Sequence, residues 1–275
     1  MRNSIYFILS VLVVTIFILA LRTPFKTMAK SSADHPTPVP LLLKQAEYVL
    51  LREQSQATRN SEEGISLISL NRGNGQIKEV ALTFDDGPHP VWTPRLLDLL
   101  KSLDVHATFF YVGKMVDRYP DLVARAVIDG HEVANHTYDH ISLRHMNEHQ
   151  AFDELTDGAN AIKRITGYAP RFFRPPGGFL SAAATKAAEA MHITPVMWTN
   201  NSKDFAYPPA WLLEYRLLKG DMKGAILLCH DGIPTTLQVL PDVVNRLKAQ
   251  GYQFVTASEM AHHLQGTVMS VRIKE

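Results

Sequence analysis

A chain of 275 residues, 46% hydrophobic and 20% charged, is long enough for a sizeable buried core and too apolar for wholesale disorder. Lys and Arg number 28 against 27 Asp and Glu, a formal charge of +1, which leaves no basic footprint for nucleic acid or anionic lipid. One cysteine, Cys229, excludes an internal disulfide and any Cys-rich zinc module; with twelve histidines present, imidazole and carboxylate are the metal ligands on offer.

The N-terminus stands apart. Ile5 to Leu21 is an uncharged apolar run flanked by Arg2, Arg22, Lys26 and Lys30, close to the lower limit for a bilayer span, where about 20 apolar residues are typical. Residues 1–30 are therefore expected to form an uncleaved transmembrane helix. A cleaved signal peptide is the competing reading, although its apolar region is usually about 7–15 residues and ends in a small-residue site. Residues 31–76 read as a linker. It has a Ser/Pro tract at Ser31–Pro40, one short helix over Leu41–Arg52 and a turn cluster at Asn71–Gly75.

After Gln76 short β-prone runs recur at Glu79–Phe84, Ala107–Val112, Glu132–Asn135, Arg171–Arg174, Ile193–Trp198, Ala225–Cys229 and Tyr252–Val255. Helical spacing fills most gaps, at Pro94–Leu103, Asp121–Ile128, Ala151–Ile165 and Leu237–Leu247. Such alternation predicts an α/β domain with a parallel sheet, and either an open doubly wound sheet or a closed barrel fits it.

In parallel α/β folds the functional side chains collect at the carboxyl ends of strands. Here those ends carry Asp85-Asp86, Asn135-His136, Arg174, Asp204 and His230. Neighbouring residues of a strand face opposite ways, so Asp85 and Asp86 can share one site only across a kink, which Gly87 permits. His136 and His140 stand at i and i+4, the spacing that on a helical turn puts two imidazoles on one face. Added to a strand-end aspartate they make a two-histidine, one-carboxylate set with open positions, suited to catalytic zinc and equally to non-haem iron. Each motif alone has a plain structural reading as turn, surface histidine, salt bridge or core packing. Five of them at strand ends point to a site.

In their order, Thr83-Phe84-Asp85-Asp86-Gly87, His136-Thr137-Tyr138-Asp139-His140, Arg174-Pro175-Pro176-Gly177-Gly178, the Asp204 segment and Leu228-Cys229-His230 resemble the NodB-homology polysaccharide deacetylases, carbohydrate esterase family 4. The resemblance spans residues 77–263, leaving 264–275 as a C-terminal tail. It implies a distorted (β/α) barrel of about seven strands that removes N-acetyl groups from chitooligosaccharide or peptidoglycan. It further implies Asp85 as general base, Asp86, His136 and His140 as ligands of a divalent metal, usually zinc, and Arg174 as the holder of Asp85. Asp204 would orient His230, the general acid. Gly177 would offer a backbone N–H to the oxyanion, Phe205 would shape the floor near the acetyl group, and Leu228 would line the acetyl pocket. Two positions depart from the family pattern: Gly177 stands where an aromatic wall is common, and Phe205 replaces a tryptophan. The implied partners are an N-acetylated glycan and, through the N-terminal helix, a membrane; no nucleic acid or protein partner is implied. The implied location is a bacterial inner membrane, crossed once, with the catalytic domain periplasmic or extracellular. An O-acetyl esterase and a catalytically silent glycan-binding module are the alternatives.

Overall fold

The computed structural model describes residues 69–272. The apolar run at 5–21 lies outside the described residues; among those described, no helix is long and apolar enough to cross a membrane. In chain order the elements are β1 (Glu79–Asp85), α1 (Trp92–Ser102), β2 (Thr108–Tyr111), α2 (Gly113–Arg118), α3 (Pro120–Ile128), β3 (Glu132–Asn135), α4 (Glu148–Thr166), β4 (Phe172–Phe173), α5 (Ala182–Ala190), β5 (Thr194–Pro195), β6 (Asn200–Asn201), α6 (Ala210–Leu218), β7 (Ala225–His230), α7 (Pro234–Ala249), β8 (Gln253–Val255) and α8 (Ala257–Arg272).

All strand pairs are parallel, in the order β5-β4-β3-β2-β1-β7-β6, with β8 alongside the first half of β1. The two ends of that path are consecutive stretches of one segment. The N–H groups of Thr194 and Val196 donate to Arg171 and Phe173 on one side; those of Thr199 and Ser202 donate to Ile226 and Leu228 on the other. The sheet therefore curls back towards itself. Leu70 is buried and exchanges backbone hydrogen bonds with Pro195 and Met197, so the packed unit begins ahead of Ile77. At the other end, α8 runs on past residue 263 to Arg272.

Strand β1 explains why the curl has two apolar sides. Every one of its seven residues is buried. Val80, Leu82 and Phe84 face outwards into a cluster with Leu96, Leu97, Leu100, Val239 and Val243 from α1 and α7, each such burial stabilising by about 1.5–3 kcal/mol. Ala81 faces inwards with Phe110, Ala134, Phe172, Val196 and Ile226. The two-residue period of the pleat then puts Thr83 and Asp85 on the inner side as well. An acid thus enters the interior of the curl at its carboxyl-terminal rim.

The seven expected strands are present, and Asn200–Asn201 forms an eighth. The four helices expected after Gln76 are present, each starting one to three residues earlier than its apolar spacing suggested, and the short helix expected over Leu41–Arg52 lies outside the described residues. Helix α4 starts at Glu148 because Asn147 and Gln150 form a reciprocal capping box: the Asn147 side chain accepts from the Gln150 N–H at 2.9 Å, and the Gln150 side chain accepts from the Asn147 N–H at 3.1 Å.

Candidate active site

Arg174 organises the interior end of the site. It follows β4 and is fully buried. Its Nη1 donates to Asp85 Oδ1 at 2.6 Å and to Thr83 Oγ1 at 2.9 Å, and Nε and Nη2 donate to the carbonyls of Val196 and Met197. The guanidinium lies 4.1 Å from the centre of the Phe110 ring. A planar fork with several fixed donors fits this cage, and a buried charge needs such a set of partners. One oxygen of Asp85 is thereby fixed, and the other, Oδ2, lies 3.8 Å from His136 Nε2.

The kink that lets both acids serve one site falls on Asp86 itself, in the left-handed region at φ 74; Gly87 does not carry it. Asp is among the few non-glycine residues that tolerate this region. Gly87 is needed for close approach instead, since a Cβ there would come within 2.3 Å of Asp231 Oδ2 and 2.7 Å of the Tyr111 ring.

His136 and His140 converge, but no helical turn brings them together. The stretch from His136 to His140 is a loop with Thr137 and His140 both left-handed, at φ 66 and φ 59. A β-branched residue in that conformation is strained and persists only where its surroundings over-determine it. They do so here. The N–H groups of Gly113 and Lys114 donate to the Thr137 and Tyr138 carbonyls, and Glu154 Oε2 on α4 accepts from the N–H groups of Tyr138 and Asp139. Gly158 lets α4 come close; a Cβ there would meet Asn135 Oδ1 at 2.3 Å and the Thr137 backbone at 2.9 Å.

Asp86 Oδ1 stands 3.3 Å from His136 Nε2 and 3.1 Å from His140 Nε2, and all three donor atoms lie within 4.8 Å of one another. His136 Nδ1 is 2.7 Å from the Arg174 carbonyl, which can only accept, so Nδ1 is the donor there and Nε2 is the ring nitrogen turned to Asp86. Ligand bonds of about 2.0–2.1 Å at tetrahedral angles put donors about 3.3 Å apart, so the set fits a divalent ion. Burial pushes the Asp86 carboxyl up, but the two imidazoles outweigh it and hold the group well below the usual carboxylate range.

Across the rim His230 ends β7. Its Nδ1 is 2.6 Å from Asp204 Oδ1, and its N–H donates to Asp204 Oδ2 at 2.8 Å. Thr236 Oγ1 donates to the same Oδ2 at 2.6 Å. Burial alone would pull the imidazole pKa down; the Asp204 carboxylate outweighs it and raises the value above 6.5. Asp204, fully buried, is kept lowered by those same donors against the upward push of burial.

Leu228 is buried two residues before His230, on the same side of the strand. Phe205 is more than half exposed and meets the His230 ring edge-on at 5.4 Å; it stands at the rim and forms no floor. Gly177 is left-handed at φ 68, and a Cβ there would lie 3.3 Å from the Phe179 ring. Phe179, half-exposed and with the Arg144 guanidinium 4.6 Å from its centroid, thus fills the space beside Gly177.

Sequence reasoning missed Thr83, Glu154, Thr236, Phe179 and Asp231. Of these Thr83 opens the first motif, and Asp231 directly follows the last. Asp231 is a buried ionisable residue to which the motifs give no role. It lies behind the Asp85–Gly87 turn, donates its N–H to the Asp85 carbonyl at 2.8 Å and accepts from Thr93 Oγ1 at 2.5 Å. Burial pushes its pKa up to about 7.

Comparison with known proteins agrees with this geometry. The polysaccharide deacetylase family model matches residues 72–196. A peptidoglycan-N-acetylglucosamine deacetylase of Bacillus cereus is 36% identical over 191 residues, covering 68% of this chain and 89% of the relative. The structure of a peptidoglycan N-acetylglucosamine deacetylase in complex with 4-naphthalen-1-yl-N-oxidanyl-benzamide is similar at a TM-score of 0.68 and 32% identity, over 70% of this chain and 92% of that one. That of a family 4 pseudoenzyme from Bacillus anthracis is similar at a TM-score of 0.68 and 28% identity, over 73% and 71%. Likeness in sequence along most of a relative's length, together with likeness in the course of the backbone, establishes that the chain belongs to the polysaccharide deacetylase family, carbohydrate esterase family 4.

Proposed function

We propose that the protein hydrolyses N-acetyl groups on N-acetylglucosamine units of a peptidoglycan-type or chitooligosaccharide-type glycan. The observation that carries this reading is the position of Asp85. One of its oxygens is bound to Arg174, and the other lies 3.8 Å from His136 Nε2, beside the three-donor set. A carboxylate so placed is fixed, free at one oxygen and next to the place where a cation fits.

Asp86, His136 and His140 would hold the ion, and zinc suits a hydrolysis that needs a Lewis acid and no redox change. When bound, the ion supplies polarisation of the acetyl carbonyl and lowers the pKa of a water to about 7. Asp85 Oδ2 accepts the proton of the attacking water. The Gly177 N–H donates to the developing oxyanion. Leu228 receives the acetyl methyl, while Phe179 supplies the apolar wall that glycine at 177 lacks, and Phe205 covers one edge of the acid. As the C–N bond breaks, His230 gives its proton to the leaving amine, and acetate and a free glucosamine unit result. Arg174 and Asp204 position the base and the acid.

The test is acetate release by the full-length chain from N-acetylglucosamine oligomers and peptidoglycan fragments, with metal content measured on the same preparation. Release is expected, together with its loss on chelation and its return on adding zinc. No release from any of these substrates by metal-loaded protein would count against the reading.

The acid's role has its own signature. A donor must carry its proton, so activity falls as pH rises through the folded pKa of His230, which lies above 6.5. Asp204→Asn removes the raising partner and leaves burial in control, so the alkaline limb of kcat/KM moves to lower pH. On the alkaline side kcat is expected to drop about 10²-fold or more. A variant with an unmoved limb would exclude His230 as the acid.

Such glycans lie outside the cytoplasmic membrane. We therefore place residues 1–30 as a single membrane span of a bacterial inner membrane, with the catalytic domain on the outer side. A C-terminal phosphatase fusion, active only after export, is expected to be active; a fusion silent in phosphatase and bright as a cytoplasmic reporter would reverse the orientation.

A further inference from the structure

Of the three donors, His136 is buried and its ring is fixed through Nδ1 on the Arg174 carbonyl. Asp86 is held differently. Its side chain is 42% exposed and meets the two imidazoles on its inner side. The aim of its carboxylate therefore comes from the main chain, which is left-handed at that residue, φ 74. Asp tolerates this conformation without preferring it, so the turn has to be held from both sides.

One residue outside the turn grips it at both ends. Asp231 follows His230 at the end of β7 and is itself buried. Its main-chain N–H donates to the Asp85 carbonyl at 2.8 Å, just ahead of Asp86. Its carboxyl group lies against Gly87, just after Asp86, so closely that a Cβ there would come within 2.3 Å of Oδ2. The same Oδ2 accepts from the Thr93 hydroxyl at 2.5 Å. Thr93 Oγ1 in turn accepts from the His89 N–H at 2.6 Å, and the Thr93 N–H donates to the His89 carbonyl at 3.0 Å. The stretch from Asp85 to the first turn of α1 is thus gathered around one side chain. On the opposite side of Gly87 stand the Tyr111 ring and the Val112 N–H, which donates to the Gly87 carbonyl at 3.0 Å. A carboxyl group is a costly filler for a buried space. What it adds over an apolar residue of its size is the acceptor for Thr93, and departures of that kind gather at functional sites.

We propose that Asp231 is a positioning residue of the metal centre: by holding Asp85, Gly87 and Thr93 together it fixes the left-handed Asp86 so that its carboxylate points at His136 and His140. The proposal rests on the deacetylase reading for the identity of the ion. It adds a residue, remote from the ion itself, that sets how tightly the ion is held.

The test measures zinc binding by the metal-stripped full-length protein, in competition with a chromophoric chelator, well below the melting transition. Asp231→Ala is expected to weaken zinc binding about 10–100-fold. At saturating zinc its kcat is expected to fall while KM for N-acetylglucosamine oligomers stays nearly unchanged. Asp231→Asn has the same shape and keeps a carbonyl oxygen for Thr93, and it is expected to bind zinc nearly as the wild type does. If Asp231→Ala melts early, Thr93→Val, which keeps the shape and removes the hydroxyl, takes its place with the same expected loss. A residue that only stabilises the fold moves the melting temperature and leaves the affinity alone. Wild-type zinc affinity in Asp231→Ala, or in Thr93→Val where that replaces it, would therefore overturn the proposal however early the variant melts. So would an Asp231→Asn variant that binds zinc as weakly as Asp231→Ala. Should the wild type bind zinc and release no acetate, the deacetylase reading fails by itself, and the affinities still decide the role of Asp231.

Discussion

Asp85→Asn is expected to lower kcat about 10³-fold with little change in KM. Asparagine has the same shape and can keep its carbonyl oxygen on Arg174 Nη1, where Asp85 Oδ1 now sits at 2.6 Å. Its amide then faces the donor set and cannot take a proton. The loss should be confined to the chemical step, because Asp86, His136 and His140 are untouched and metal content should stay at the wild-type level. Steady-state kinetics on an oligosaccharide, with metal analysis of the same sample, check this. A variant that retained a tenth of the wild-type rate would remove Asp85 from the mechanism.

Arg174→Met is expected to destabilise the domain by about 3–5 kcal/mol, because it leaves the Asp85 carboxylate buried with no charged donor. For a domain of this size the melting temperature should fall by roughly 6–20 °C. Methionine fills much of the volume next to Phe110, so packing explains little of the loss. Arg174→Lys should not rescue it. A point charge cannot serve Thr83, Asp85, Val196 and Met197 at once. The double variant Asp85→Asn/Arg174→Met removes the orphaned charge and should melt above Arg174→Met alone, a coupling that a thermal double-mutant cycle measures. Additive losses would mean that the pair does not act as one unit.

The strand positions were legible in the sequence as apolar runs, and Asp85, Asp86, His136, Arg174 and His230 because those runs ended on them. How those residues meet was not. Asp85 and Asp86 share a site through a left-handed Asp86, and the two histidines meet across a strained loop, although their spacing suggested a helical turn. Backbone signs of that kind follow from contacts with α2 and α4, remote in the chain. Thr83, Glu154 and Thr236 escaped notice for a related reason: a polar residue acquires a role only from the partner that the fold sets opposite it. The Asn147-x-x-Gln150 box could have been read and would have started α4 correctly. Helix α5 could not be read by hydrophobic period, since its buried face is Ala184, Ala187 and Ala188. Alanine propensity and the cap by Ser181, which accepts from the Ala184 N–H at 3.1 Å, are what start it.

The segment 194–201 joins the two ends of the strand path and also delivers the Val196 and Met197 carbonyls to Arg174. Its length is therefore dictated by the circumference it has to complete. A single residue inserted between Pro195 and Asn200 would shift one anchoring edge out of register and pull the carbonyl pair off the guanidinium. The turn at Gly220, where an added side-chain carbon would meet nothing within 4 Å, should absorb the same insertion without harm. For anyone grafting a tag, a linker or a second module onto this scaffold, the first stretch is closed to lengthening and the second is the place to begin.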